Sequence, residues 1–150
     1  MKREKFLWPL TQSHHRGLVL AKHIREKLVD CPRGEEGTRV KAALEEVRGA
    51  YEGELRQHFW DEERILALYE AQLGTGEPMP ERIRKDHRSL EMLMKQGDRE
   101  SLLAFAETLT AHIRFEEEEL FPGWERVFGD PDRGSVEKIL RDAAGKSCPS

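Results

Sequence analysis

An all-α fold, an up-down-up-down antiparallel four-helix bundle followed by a short fifth helix, is the architecture this sequence predicts. Three observations carry that expectation. Apolar residues recur at alternating steps of three and four, glycine and proline clusters divide the chain into four long segments, and no stretch alternates at the period of a strand.

The elements follow in order. Pro9 fits the first turn of a helix that runs to about Asp30, where Cys31-Pro32-Arg33-Gly34 ends it. A second helix starts near Thr38, as N-cap, and continues to about Leu73. The segment from Gly74 to Pro80 reads as a turn, and a third helix runs from Pro80 to Gln96. Gly97-Asp98 reads as a C-terminal glycine followed at once by an N-cap, so the fourth helix follows after a tight turn. That helix reaches Leu120, where Phe121-Pro122-Gly123 should break or kink it. A fifth helix from about Ser135 to Ala144 and a frayed tail complete the chain. The expected organisation is a bundle over residues 1–128 and a C-terminal helix and tail over 129–150.

The chain has 150 residues, enough for one domain that buries roughly two-thirds of its unfolded surface. Charged residues make up 36% and hydrophobic ones 37%, polar for a globular protein, yet the apolar residues recur at helical spacing, so amphipathic helices rather than disorder are expected. The net charge of -4 is spread as mixed acid and base. No basic stripe follows a phosphate backbone, which argues against nucleic acid as a partner. Two cysteines, Cys31 in a loop and Cys148 near the end, give no disulfide framework. Met1 to Leu10 holds no apolar run of signal-peptide length, and no stretch approaches the length of a membrane span. A soluble, cytoplasmic protein without membrane contact is the expectation.

The chemistry lies in polar residues on the wrong face. The apolar stripe of the second helix reads Leu44, Val47, Tyr51, Leu55, His58, Glu62, Ile65, Tyr69, Leu73. The fourth gives Leu102, Phe105, Leu109, His112, Glu116, Leu120; the third gives Ile83, His87, Leu90, Met94; the first gives Leu10, His14, Gly17, Ala21, Ile24, Leu28. Each helix therefore points one histidine into the core, and two add a glutamate one turn later. Removing an unpaired carboxylate from water costs several kcal/mol, and six such groups in one bundle call for a cation. Residues four apart share a helix face roughly 6 Å apart, so His-x-x-x-Glu can grip one metal or a bridged pair. Four imidazoles and two carboxylates suit iron, with manganese and zinc as alternatives.

The pattern repeats: His14 with His58-x-x-x-Glu62, then His87 with His112-x-x-x-Glu116. A near-twofold arrangement gives each half one metal, with two ions sharing two carboxylates. Alternatives stand beside these positions. His15 competes with His14, although its stripe meets Lys22 and Arg25; Glu63 competes with Glu62, and Glu117 with Glu116. His23 falls off both stripes and reads as solvated. Gly17 either leaves space beside the metals or lets helices pack closely. Trp8, Trp60 and Trp124 read as packing residues rather than a redox relay.

These stretches, "LTQSHHRGLVLA", "HFWDEERIL", "KDHRSLEML" and "HIRFEEEELFP", together resemble the hemerythrin-like, HHE cation-binding family, in order from residue 10 to about 125. The resemblance implies an antiparallel four-helix bundle around a non-haem di-iron site. It implies His14, His58, Glu62, His87, His112 and Glu116 as ligands. Two departures stand out. Oxygen-carrying hemerythrins have a further histidine where this chain has Ile83, which argues against simple reversible oxygen carriage. Ser13 stands where an acidic residue often precedes the first ligand. The function expected is a di-iron protein that binds or senses a small ligand (oxygen, nitric oxide or peroxide) or handles iron. A di-iron oxidase or peroxidase-type enzyme is the alternative, with no organic-substrate pocket legible. A structural bundle stapled by a metal such as zinc is the other.

Overall fold

The computed structural model describes residues 3–73 and 78–143. After a short 3-10 turn, Lys5–Leu7, come α1 (Trp8–Leu28), a 3-10 turn (Arg33–Glu35), α2 (Glu36–Ala50), a π-turn (Tyr51–Leu55) and α3 (Arg56–Leu73). Then follow α4 (Pro78–Gln96), α5 (Arg99–Phe115), a second π-turn (Glu116–Leu120), α6 (Phe121–Val127) and α7 (Asp130–Ala143). There is no strand among the described residues. The fold is all-α, as expected.

Four bundle helices result: α1, the continuous run α2–α3, α4, and the continuous run α5–α6. Two separate apolar clusters show their directions. One gathers Leu20, Ile24, Val47, Leu55, Leu90 and Leu109; the other gathers Leu10, Ile65, Ile83, Leu120 and Trp124. The first helix passes from the second cluster to the first, the second helix returns, and the third and fourth repeat the pattern. That alternation is the up-down-up-down topology. In each helix the predicted histidine lies between the two clusters, so the polar residues form one layer across the middle of the bundle.

Several boundaries differ from expectation for identifiable reasons. Thr38 is not the N-cap: the 3-10 turn Arg33–Glu35 feeds directly into α2 at Glu36. Helix α4 begins at Pro78, inside the expected turn, because prolines suit a first turn whose N–H groups need no intrahelical partner. The rest of that turn, residues 74–77, lies outside the described residues, as do Cys148 and the tail. Gly97 has φ +66 and donates its N–H to Leu93 O, so the glycine ends α4 in the left-handed conformation expected of it. Asp98 follows as the N-cap residue of α5.

Phe121-Pro122-Gly123 does not break the fourth helix. The π-turn Glu116–Leu120 ends just before it, and in the turn preceding Pro122, which has no N–H to give, Glu117 O accepts from Arg3 Nη2 at 2.8 Å. Helix α7 starts at Asp130, earlier than expected, and its Val136, Ile139 and Leu140 pack on the cluster beneath α3 and the N-terminal turn. Leu73, expected on the stripe, is 40% exposed, and Trp8 and Trp60, expected to pack, are each 42% exposed. Trp124 alone of the three tryptophans is buried.

Candidate metal centre

All six residues of the predicted set are buried and converge. His14, His58, Glu62 and Glu116 bring one ligand atom each within 4.8 Å of one another, and so do Glu62, His87, His112 and Glu116. Donors at about 2.1 Å from one ion can lie at most about 4.2 Å apart. Each group is therefore within about 0.6 Å of the widest spacing that one cation spans. Glu62 and Glu116, both 0% exposed, belong to both groups and lie between the two histidine pairs.

The inner nitrogens face these carboxylates. His14 Nε2 lies 2.8 Å from Glu116 Oε1 and 3.6 Å from Glu62 Oε2. His58 Nε2 lies 2.9 Å from Glu62 Oε2, and His87 Nε2 lies 2.9 Å from Glu62 Oε1. His112 Nε2 is 3.2 Å from Glu116 Oε1 but lacks the alignment of a hydrogen bond. Glu116 Oε2 is likewise buried with no hydrogen-bond partner. Two orphaned atoms at one buried centre would cost about 1–3 kcal/mol each. A cation between them satisfies both, so the donor set fits a metal.

The outer nitrogens face a second set of acids. His14 Nδ1–H donates to Glu117 at 2.6 Å, His87 Nδ1–H to Glu63 at 2.9 Å, and His112 Nδ1–H to Asp86 at 3.0 Å. Glu117 is itself held by Thr11 Oγ1 at 2.9 Å and by Arg3. Such partners fix the ring orientation and leave Nε2 as the donor toward a metal. Glu63 and Glu117, which the sequence offered as alternative ligands, thus face the outer nitrogens of His87 and His14. His15 is exposed, which leaves His14 as the inward-facing residue, and His23 is exposed beside Glu46.

The charge state follows from this geometry. Burial pulls the His14 imidazole down, but the Glu116, Glu117 and Glu62 carboxylates more than reverse it and hold it well above its ordinary value. Burial likewise opposes protonation of His112, and Glu116, Asp86 and Glu62 overcome it. His87 is raised by Glu62 and Glu63 against the same burial. For Glu62, burial favours the neutral acid, yet His58, His112 and His14 hold it well below the ordinary carboxylate range. Without a metal, protons on the imidazoles supply the positive charge.

Apolar contacts close the layer. Phe59 stacks on the His87 ring at 4.1 Å between centroids, and Phe121 on the His14 ring at 5.1 Å. A Cβ on Gly17 would meet Ile113 Cδ1 at 2.9 Å, so this glycine serves close packing of α1 on α5.

Residues 7–124 match the family described as the hemerythrin HHE cation binding domain. The chain belongs to that family. No curated protein and no solved structure shows a significant match to it. The matched span of this hemerythrin-family chain runs from just before α1 into α6 and includes all six converging residues. A hemerythrin-type domain with a buried, metal-compatible His/Glu cluster is therefore what the chain contains. Among the described residues, no helix is long and apolar enough to cross a membrane.

Two polar residues of this layer, Asp86 and Asp61, escaped the sequence reading, and Ser13 entered it only as a departure from the family's pattern. Ser13 and Asp61 are buried at 6% and 4% exposure. Each of the three is adjacent in sequence to a predicted ligand, which is the only signal Asp86 and Asp61 carry.

Proposed function

We propose that this chain is a non-haem di-iron protein that binds or senses a small ligand, oxygen, nitric oxide or peroxide, or handles iron. The observation that carries the reading is the sharing of Glu62 and Glu116 by two four-donor groups. A single ion needs only one group; two overlapping groups with common carboxylates favour a bridged pair. Four neutral imidazoles and two carboxylates form a donor set of intermediate hardness, which favours iron over calcium or magnesium.

In this reading His14 and His58 would hold one ion and His87 and His112 the other, with Glu62 and Glu116 available to both. Iron so held supplies one-electron chemistry toward a small ligand. The chain's own residues do the rest. Glu117, Glu63 and Asp86 keep three rings aimed inward and take part of the positive charge. Phe59 and Phe121 exclude water from the ring faces.

The test is an anaerobic titration of metal-stripped protein with ferrous iron, followed by oxygen and, separately, nitric oxide under optical observation. About two irons per chain, with absorption bands that respond to either gas, are expected. A chain that loads iron yet stays spectrally silent would reduce the metal to a structural role.

A further inference from the structure

The inference concerns a broken symmetry within the metal layer and rests on the reading just proposed. Pairing the first bundle helix with the third, and the second with the fourth, maps the contacts of His14 onto those of His87. His14 Nδ1 meets Glu117 as His87 Nδ1 meets Glu63. His14 Nε2 meets Glu116 as His87 Nε2 meets Glu62. His58 is then the counterpart of His112, and Ser13, which precedes His14, is the counterpart of Asp86, which precedes His87.

Here the correspondence fails. Asp86 accepts from His112 Nδ1 at 3.0 Å. Ser13 instead reaches Glu54 Oε1 at 3.3 Å, and Glu54 is taken up by Arg16 at 2.7 Å. Among the described residues, the one acid within ion-pair reach of His58 is Glu62, on its inner nitrogen. His58 borders a cleft of about 250 Å³ whose lining includes Ser13, Glu54, Gln57 and Asp61. Within it Gln57 Nε2 donates to Asp61 at 2.9 Å, while Gln57 Oε1 is buried without a partner. In the other half Phe115 stands at the position of Asp61, and the Arg82 guanidinium covers its ring at 3.7 Å.

We infer that the two metal positions are unequal: the His87–His112 position is the tight one, and the His14–His58 position is the exchangeable one, with Ser13 setting the difference. The physical reason is orientation. A ring whose outer N–H has an anionic acceptor keeps its inner lone pair aimed and more basic, and loss of such a partner typically costs 10–100-fold in metal affinity. His112 has that acceptor, whereas His58 borders the cleft and pairs with an acid only through its inner nitrogen. The same cleft gives solvent a route to this half of the layer, so an ion there exchanges faster.

The experiment uses the full chain, metal-stripped and labelled with ¹⁵N-histidine, titrated with zinc as a diamagnetic stand-in and followed by NMR. Competition with a chelator gives the two affinities. At one equivalent, the ring nitrogens of His87 and His112 should move before those of His14 and His58. Repulsion between two ions separates the steps in any case, so the variants decide. Ser13→Asn supplies an acceptor without adding charge beside Glu54, and Ser13→Asp adds a full carboxylate. Each should tighten the second step about 10–100-fold while leaving the first nearly unmoved. Asp86→Ser should weaken the first step by a similar factor, and Asp86→Asn, which keeps an acceptor and the volume, should weaken it less. If His58 moves first, or if both residues can be changed without altering either step, the inference is overturned and the di-metal reading survives. If no zinc enters the layer at all, both are overturned.

Discussion

Metal loading should expel protons from this protein, and the number can be worked from the layer itself. Three imidazoles, His14, His87 and His112, are held above their ordinary value by neighbouring carboxylates. Each has a carboxylate on its outer nitrogen and another facing its inner one, the arrangement of an imidazolium. A metal replaces the inner proton. At pH 7, full loading should therefore release about two to three protons per chain, and each unit of pH should strengthen overall loading about a hundred- to a thousandfold, or about 2.7–4.1 kcal/mol. Calorimetric titration with zinc in two buffers of different ionisation enthalpy counts these protons directly. Release of less than one proton per chain at pH 7 would refute the reasoning, because the rings would then already be neutral.

The same groups set the stability of the metal-free protein. Imidazoles whose folded values are raised stabilise the fold fully below their ordinary value of about 6.5, and that contribution is lost as pH rises through the folded values. Glu62, whose folded value is depressed, stabilises above its ordinary value of about 4.5, and its contribution is lost as pH falls through the folded one. Metal-stripped protein should be most stable between these limits and should weaken from about pH 6.5 upward, as urea midpoints would show. Metal-loaded protein should gain stability over the same rise.

Three further outcomes are expected. Glu62→Gln keeps the volume but removes a charge within 4.0 Å of four imidazoles. Metal-free protein should lose about 3 kcal/mol at pH 6, the low end for a broken buried pair because the rings can shed protons. That is a urea midpoint lower by about 1.5 M at a slope of about 2 kcal/mol/M; a loss below about 1 kcal/mol would contradict the account of the layer. Gly17→Ala should change stability by less than about 1 kcal/mol, since the methyl meets only the movable end of Ile113 and the helix gains propensity. Gly17→Leu should cost about 3 kcal/mol by forcing α1 from α5, and equal thermal melts for the two variants would refute the packing role. His15→Ala should leave zinc stoichiometry unchanged and His14→Ala should lower it; the reverse would show that the exposed ring carries the metal.

Much of this was legible because helical periodicity is a direct record of which face is buried. His58 and Glu62, or His112 and Glu116, interrupt otherwise apolar stripes, and burial is the one property such a trace reports. What the trace does not report is which neighbour a buried ring leans on. Glu63, Glu117 and Asp86 lie beside a ligand in sequence but act on a histidine of a different helix, so only the packing reveals them. The π-turns did leave a mark. The stripe takes two consecutive steps of four at Val47, Tyr51 and Leu55, and again at His112, Glu116 and Leu120, as it also does at Ile65, Tyr69 and Leu73, where the helix stays regular and Leu73 is exposed. Each such step drifts about 40° in an ideal helix, and a widened turn absorbs the drift. Both widened turns flank the layer, at Tyr51–Leu55 and Glu116–Leu120. Pro122 misled because Arg3, far away in sequence, bonds the Glu117 carbonyl in the turn before it.

Metal counting tests the central claim most directly. Stripped protein would be loaded anaerobically with ferrous iron, desalted and analysed for iron per chain, beside a Glu62→Ala, Glu116→Ala double variant. The account predicts about two irons in the parent chain and a loss of both in the variant. Parent protein that stays iron-free, or a variant that retains the same iron, would contradict it.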